Sequence, residues 1–90
     1  MPKVNFTYAL KRFFPELKET SIPAKSVHEL LEVLDNAHPG LSNYIVDDQK
    51  ALRKHVKIFL NGKEIKDRIN LTDKLFDESD VYIMQALSGG

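Results

Sequence analysis

The residues whose types and spacing suggest chemistry are Gly89 and Gly90, the last two of a 90-residue sequence. Glycine has no Cβ, so two in succession form a thin segment that turns freely and enters clefts too narrow for a side chain. A chain that ends at Gly90 carries an α-carboxylate, which is ionised at neutral pH because its pKa is about 3.5. When extended, residues 86–90 reach about 15 Å. We expect this tail to be the functional site, the alternative being a frayed end or a cloning remnant.

Other side chains that could do chemistry are too dispersed to predict a catalytic or metal site. His28, His38 and His55 lie far apart in sequence, without the short spacing of a metal-binding or catalytic pair, so we expect solvated histidines. The chain has no cysteine, which excludes disulfides, Cys-ligated zinc and Fe–S clusters within it. We therefore predict no catalytic residue, no metal and no cofactor in this chain.

Charge and hydropathy exclude further classes of protein. Thirteen basic and thirteen acidic residues give a net charge of zero, whereas nucleic-acid binding usually requires a basic surplus. No apolar run approaches the length of about 18 residues that spans a membrane, and residues 1–5 do not resemble a signal peptide. We therefore expect a cytoplasmic protein that binds neither nucleic acid nor membrane. A local basic stretch of residues 50–57 either steers an acidic partner surface or is a solvated loop.

Period-2 alternation of apolar and polar residues, with turn signals between the segments, predicts the strands. Phe13 and Phe14 fall in an expected loop at residues 9–16, where their rings would partly cover the core. Asn61 and Gly62 are the strongest short hairpin signal, because a type I′ turn requires positive φ at both positions. The predicted strands are residues 3–8, 18–22, 56–60, 63–65 and 81–84.

The clearest predicted element is a helix over residues 26–37. Ser26 and Glu29 form the Ser-x-x-Glu pattern of a capping box. Apolar residues then recur at helical spacing and give one apolar face; they are Val27, Leu30, Leu31 and Leu34. Residues 41–45 predict a second, short helical turn. Residues 67–79 are turn-rich, with four residues expected to point inward: Ile69, Leu71, Leu75 and Phe76.

This order of elements predicts an α+β domain over residues 1–90, a small mixed sheet with one main helix packed on one face. The last strand carries the densest apolar run and is expected at the centre. If Val56, Ile58, Val81 and Ile83 face the helix, Phe59 and Met84 face away from it. Together with Leu87, they predict a docking surface continuous with the tail. The alternative is that Phe13 or Phe14 folds over them.

Four features follow one another in a recognisable order. A strand opens the chain at residues 3–8, and the capped helix follows a second strand. A third strand ends in Asn61 before a tight turn, and residues 75–90 supply an acidic turn, a strand and two glycines. This order resembles the MoaD/ThiS family of ubiquitin-like sulfur carrier proteins over nearly the whole chain. The family usually has Gly-Asp where this chain has Ser79-Asp80, and often a Pro and an Ala before the glycines; these departures leave the subfamily open. Residues 39–55 resemble MoaD or the cysteine-forming carrier CysO more than ThiS-like carriers, which tend to be shorter between the helix and the third strand.

The resemblance implies a ubiquitin-like β-grasp fold and a carrier function. An E1-like enzyme would use ATP to adenylate the carboxylate of Gly90, and a sulfur donor such as a cysteine desulfurase or a rhodanese-like protein would convert it to a thiocarboxylate. That sulfur would pass to an accepting synthase in the formation of molybdenum cofactor, cysteine or thiamine. The chain would thus be a cosubstrate or a small subunit, as in molybdopterin synthase, without catalytic residues of its own. The alternative is a ubiquitin-like modifier or interaction module conjugated through Gly90.

Overall fold

The computed structural model describes residues 1–85 of the chain, which form five strands and three helices. The strands are β1 (Lys3–Phe6), β2 (Thr20–Ser21), β3 (Val56–Leu60), β4 (Lys63–Glu64) and β5 (Asp80–Gln85). The helices are α1 (Tyr8–Phe13), α2 (Val27–Ala37) and α3 (Ser42–Ile45). No helix in this part of the chain is long and apolar enough to cross a membrane.

The strands form one mixed sheet in the order β2-β1-β5-β3-β4. The central strand is β5, as its apolar run predicts; it pairs parallel with β1 and antiparallel with β3. At the Asn61–Gly62 turn between β3 and β4, φ is 52° and 87°, so the predicted left-handed conformation is present at both positions. The sheet therefore consists of two antiparallel pairs, β1–β2 and β3–β4, joined through β5.

Helix α2 packs its apolar face on the sheet, and its start confirms the predicted cap. The Oγ of Ser26 accepts a hydrogen bond from the backbone N–H of Glu29 at 3.1 Å. Four residues on one face are buried, as their spacing predicts: Val27, Leu30, Leu31 and Leu34. Beneath them lie the inward side chains of the sheet, which are also buried: Val4, Phe6, Val56, Ile58, Val81 and Ile83. The predicted α+β arrangement of one main helix on one face is confirmed.

A carboxylate directs the chain from α2 into α3. One oxygen of Asp35 accepts hydrogen bonds from the N–H groups of Ser42 at 3.0 Å and Gly40 at 3.2 Å. Hydrogen bonds from Ser42, followed by a smaller contribution from Gly40, lower the pKa of Asp35, and partial burial opposes them. The turn also uses the positive φ of 93° at Gly40. The short second helix predicted at residues 41–45 thus forms as Ser42–Ile45.

The expected strand end at Tyr8 and the loop at residues 9–16 were wrong, because α1 occupies residues 8–13. Ala9 and Leu10 are buried and Phe14 packs against the core, whereas Tyr8 is 74% exposed. The burial of Ala9 and Leu10 and the packing of Phe14 therefore favour a helix here, although the alternating residues up to Tyr8 predict a strand. The second strand, expected over residues 18–22, is limited to Thr20–Ser21 and lies at the edge of the sheet.

Two of the four expected anchors in residues 67–79 were also wrong. Leu71 and Leu75 are buried, but Ile69 is 65% and Phe76 is 69% exposed. The carboxylate of Asp67 accepts hydrogen bonds from the N–H groups of residues 69, 70 and 72, so polar contacts determine the path of this loop. They hold Leu71 at φ 56°, which turns its side chain into the core and leaves Ile69 outside.

Candidate functional site

The central strand β5 leads directly into the predicted tail, and Gln85, its last residue, is called here the tail root. Gln85 pairs with Val56 of β3, and its N–H donates a hydrogen bond to Oγ1 of Thr7 at 3.1 Å. The N–H of Thr7 in turn donates to the carbonyl of Ile83 at 3.1 Å. The tail root is therefore fixed on one side by β3 and on the other by the residue that follows β1.

Three of the predicted site residues lie outside the residues that the structure describes. They are Leu87, Gly89 and Gly90. Their predicted roles in docking and activation therefore stay predictions. The structure does define the strand that carries this segment and the surface beside it.

The face of the sheet opposite α2 carries an apolar cluster, called here the sheet patch, made of Phe59, Tyr82 and Met84. Tyr82 of β5 is directly opposite Phe59 of β3, and Met84 is opposite Lys57. Cross-strand neighbours of this kind touch, because their Cβ atoms are about 5 Å apart. Phe59 and Met84 are half-buried, and Tyr82 is 41% exposed. The predicted orientation of Phe59 and Met84, away from the helix, is therefore confirmed.

The rings of Phe13 and Phe14 do not cover the sheet patch. Phe13 stacks on Tyr44 of α3 with ring centroids 5.0 Å apart, and Phe14 meets the same ring edge-on at 5.4 Å. Helix α3 packs beside α2, so these contacts lie on the helical side of the sheet. The alternative in which Phe13 or Phe14 folds over Phe59 and Met84 was wrong.

A charged pair borders the sheet patch at the β4 edge. The Nζ of Lys57 lies 3.5 Å from a carboxylate oxygen of Glu64. Both side chains are about half exposed, so solvent weakens this ion pair and its contribution to stability is small. An apolar centre with a charged, solvated border is the usual composition of a surface that binds another protein.

Sequence reasoning did not assign two residues that the structure places at the site. Tyr82 is the most exposed member of the sheet patch; the alternation between Val81 and Ile83 indicated its outward direction but not its neighbours. Thr7 anchors the tail root, and no local pattern predicts this, since the contact joins residues 7 and 85. It depends on the parallel register of β1 and β5.

The histidines do not assemble a site. His28 lies 3.4 Å from the carboxylate of Glu32 on the exposed side of α2. Within residues 1–85, no group of three or more His, Cys, Asp or Glu side chains could hold a metal ion. A cleft of about 240 Å³ between α2 and α3 includes His28, Asp35 and Lys50, but Asp35 already binds the N–H groups of the following turn.

Comparisons with known proteins identify the family of this chain and its fold. The profile of the ThiS family matches residues 8–90. A search of curated protein sequences found no significant match.

Solved structures are similar over almost the whole chain. A chain of the BexX/CysO complex from Amycolatopsis orientalis superposes with a TM-score of 0.84 at 18% identity, covering 100% of both chains. SAMP1, the small archaeal modifier protein 1 of Methanosarcina acetivorans, has a TM-score of 0.78 at 25% identity, covering 99% of this chain and 95% of its own. Urm1 of Sulfolobus solfataricus has a TM-score of 0.69 at 25% identity, covering 94% and 100%. The mixed sheet with its capped helix is therefore the ubiquitin-like β-grasp fold.

Proposed function

Because the chain belongs to the ThiS family of ubiquitin-like sulfur carriers and modifiers, we propose that it carries sulfur as a thiocarboxylate on Gly90. The observation that carries this proposal is the extent of the family match, which runs through β5 to the two glycines. A strand anchored on both sides, followed by a short glycine-ended segment, supplies what the chemistry requires: a fixed body and a thin reactive end.

In the first step, an E1-like enzyme holds ATP beside the carboxylate. An oxygen of Gly90 attacks the α-phosphorus, a new P–O bond forms, and pyrophosphate leaves. The resulting acyl-adenylate is a far better electrophile than a carboxylate, because AMP is a good leaving group. The partner must surround the reacting carbonyl with groups that bind phosphate, so only an end without side chains, as at Gly89 and Gly90, fits between them.

In the second step, a sulfur nucleophile supplied by a cysteine desulfurase or a rhodanese-like protein attacks the acyl carbon. The C–S bond forms, the bond from carbon to the AMP oxygen breaks, and AMP leaves. Because these donors hold the sulfur as a cysteine persulfide, the product is an acyl disulfide; a thiol then attacks the donor's cysteine sulfur, the S–S bond breaks, a disulfide forms between that thiol and the donor, and the thiocarboxylate remains on Gly90. Its sulfur is then the nucleophile offered to an accepting synthase, of the molybdopterin, thiamine or cysteine type. None of these steps needs a catalytic side chain from this protein, which acts as a cosubstrate. Since activation consumes ATP, we place the reaction in the cytoplasm.

The activation step is tested by ATP–pyrophosphate exchange with the adenylating enzyme of the same organism. Intact-mass measurement first establishes that the purified protein ends at Gly90, and after sulfur transfer it shows the replacement of one oxygen by sulfur. We expect Gly89→Val, Gly90→Ala and one appended residue each to reduce exchange strongly without changing the thermal stability. Full exchange and sulfur loading by a variant lacking Gly89 and Gly90 would refute the proposal.

We propose that the sheet patch, with Leu87, docks on the activating enzyme. Phe59→Asp or Met84→Asp places a charge in the centre of the patch, where a few apolar residues contribute most of the binding energy. Phe76→Asp is the matched control, because Phe76 is 69% exposed and lies before the opposite end of β5. We expect titration calorimetry to show weaker binding for the two patch variants and unchanged binding for the control. Equal affinity of all three variants and the unmodified protein would contradict the docking role.

A modifier function is the second candidate, and the likeness to a small archaeal modifier protein favours it. The same adenylate would then be attacked by a lysine amine of another protein, giving an isopeptide bond in place of a thiocarboxylate. Intact-mass analysis of protein purified from its own cells separates the two functions. A thiocarboxylate mass supports the carrier, and conjugates of higher mass that depend on Gly90 support the modifier.

A further inference from the structure

The net charge of zero conceals a local excess of positive charge beside the tail root. Before the start of this strand lie Asp77 and Glu78, and Asp80 is its first residue. All three acidic side chains are exposed, and the amino group of Met1 lies 3.8 Å from Asp77. At the other end, Gln85 pairs with Val56, which directly follows a basic segment, residues 53–55. Lys3 is the cross-strand partner of Asp80, so cations and carboxylates are mixed at the start of β5, whereas the basic segment lies beside its end at the tail root.

Two arginines are held at the basic end by backbone carbonyls. The Nε of Arg53 donates to the carbonyl of Asn43 at 2.9 Å. A terminal nitrogen of Arg68 donates to the carbonyls of Arg53 at 2.9 Å and Val56 at 3.1 Å. A carbonyl orients a guanidinium but does not cancel its charge, so both positive charges persist at the position where β3 begins beside the tail root.

Two further cations extend this basic end. Lys54 is exposed in the turn immediately before β3. Arg12 is exposed on α1, which follows β1; since β1 runs parallel to β5, α1 lies at the same end of the sheet as the tail root. We call Arg12, Arg53, Lys54 and Arg68 the basic collar. Among residues 1–85, none of these four side chains forms an ion pair within 4.0 Å.

Two carboxylates lie in the loop beside the basic collar without neutralising it. A shallow cleft brings Asp47 and Asp48 near Arg53 and Lys50. One oxygen of Asp47 already accepts hydrogen bonds from the N–H groups of Gln49 at 2.8 Å and of residue 51 at 3.1 Å. Lys50, in the same cleft, offsets one of the two negative charges. The basic collar therefore keeps a positive surplus.

We propose that the basic collar binds an acidic protein surface surrounding the cleft into which the tail of this chain is inserted. The inference rests on the proposed function, to which it adds the charge of the partner. Two observations favour a protein over a nucleic acid. The basic collar lies at the same end of the sheet as Met84 of the apolar sheet patch, and the chain as a whole has a net charge of zero, whereas nucleic-acid binding usually requires a basic surplus.

This arrangement orients the encounter as well as adding contacts. The positive surplus lies at one end of β5, so an acidic surface attracts the end of the molecule that carries the tail. Such complementarity acts mainly on the association rate, which it raises by about 10- to 1,000-fold at low salt. The end of the protein that carries the tail would thus face the partner when the two meet.

The first test needs neither ATP nor an identified enzyme. The full ¹⁵N-labelled protein is titrated at low salt with a peptide of alternating Asp, Glu and Gly, with a Lys-containing peptide and a single-stranded DNA as comparisons. We expect saturable shifts of the amide signals of Arg12, residues 53–57 and Arg68 with the acidic peptide alone. The absence of saturable binding, shifts centred elsewhere, or tighter binding of the DNA would each overturn the proposal.

Charge reversal separates this proposal from the proposed function. Arg12→Glu combined with Lys54→Glu should weaken acidic-peptide binding about tenfold, whereas Lys74→Glu, an exposed control on the loop before β5, should leave it unchanged. With an active adenylating enzyme, the double variant should associate more slowly and lose salt dependence while keeping the same exchange rate at saturation. Unaltered peptide affinity of the double variant refutes the basic collar. Failure of exchange by the unmodified protein refutes the activation of Gly90, and with it the carrier and modifier functions, but not the basic collar.

Discussion

The hydroxyl of Thr7 is predicted to hold the tail root in place, and Thr7→Val tests this. Valine keeps the β-branched shape of threonine but has no oxygen to accept the N–H of Gln85. The backbone at Thr7 is extended, with φ −74° and ψ 159°, which valine adopts readily. Thr7 precedes α1 but makes no side-chain cap there, so the substitution removes this one contact.

The expected effect follows from the burial of the hydrogen bond. An intramolecular hydrogen bond contributes about 0.5–1.5 kcal/mol net, and a donor left buried without a partner costs about 1–3 kcal/mol. Gln85 is half-buried and lies at the end of its strand, so water reaches its N–H after a small displacement. We therefore expect a local loss of about 1 kcal/mol, which corresponds to roughly fivefold faster amide exchange at Gln85.

Hydrogen exchange followed by NMR measures this directly, with urea unfolding as the measure of global stability. Thr20→Val is the matched control, because Thr20 lies exposed on the edge strand β2. We expect faster exchange at Gln85 in Thr7→Val alone, and a free energy of unfolding changed by no more than the local loss. An unchanged exchange rate at Gln85 would refute the role of Thr7 as the anchor of the tail root.

Two further predictions concern the body of the domain. Leu30→Ala removes a side chain that is 0% exposed and should lower the free energy of unfolding by about 3–5 kcal/mol. The control Glu32→Ala, on the exposed face of α2, should change it by less than about 0.5 kcal/mol. If calorimetry gave similar free energies of unfolding for the two variants, the packing described for α2 would be contradicted. Hydrogen bonds, chiefly from the hydroxyl of Thr72 and the N–H of Asn70, lower the pKa of Asp67 from 3.8 to about 2. Because the pKa of Asp67 is lower in the folded state, this stabilisation is complete above pH 3.8 and is lost as the pH falls toward about 2. Asp67→Asn should therefore remove this part of the loss of stability in acid, measured by urea unfolding at a series of pH values. If the variant and the unmodified protein had the same pH profile, the loop would not depend on this charge.

The sequence predicts those parts of the fold that depend on contacts between near neighbours. The bond from Ser26 to Glu29 spans three residues and the Asn61–Gly62 turn spans two, so both are visible as short motifs. The outward direction of Phe59 follows from alternation alone. These local rules are sufficient to define α2, β3 and the face of the sheet that α2 leaves open.

The predictions from sequence are wrong where tertiary contacts determine the local structure. Tyr8 continues an alternating pattern, yet the burial of Leu10 and the packing of Phe14 on the core draw the segment into a helix. Ile69 is apolar but stays outside, because hydrogen bonds to Asp67 determine the path of its loop. The anchor at Thr7 and the basic collar depend on strand register, which brings together residues that no local sequence window contains.

The central position of β5 has a consequence for the folding and degradation of the protein in the cell. Among the described strands, β5 alone connects the β1–β2 pair to the β3–β4 pair. An isolated two-stranded hairpin is at best marginally stable in water, so a nascent chain holds two unjoined halves until β5 has left the ribosome. Its partner β1 is distant in sequence, which raises the contact order and makes the joining of the two halves a slow step of folding. A chain shortened into β5 would expose apolar surface and be removed by proteolysis, so folded molecules in the cell are those that retain the tail root.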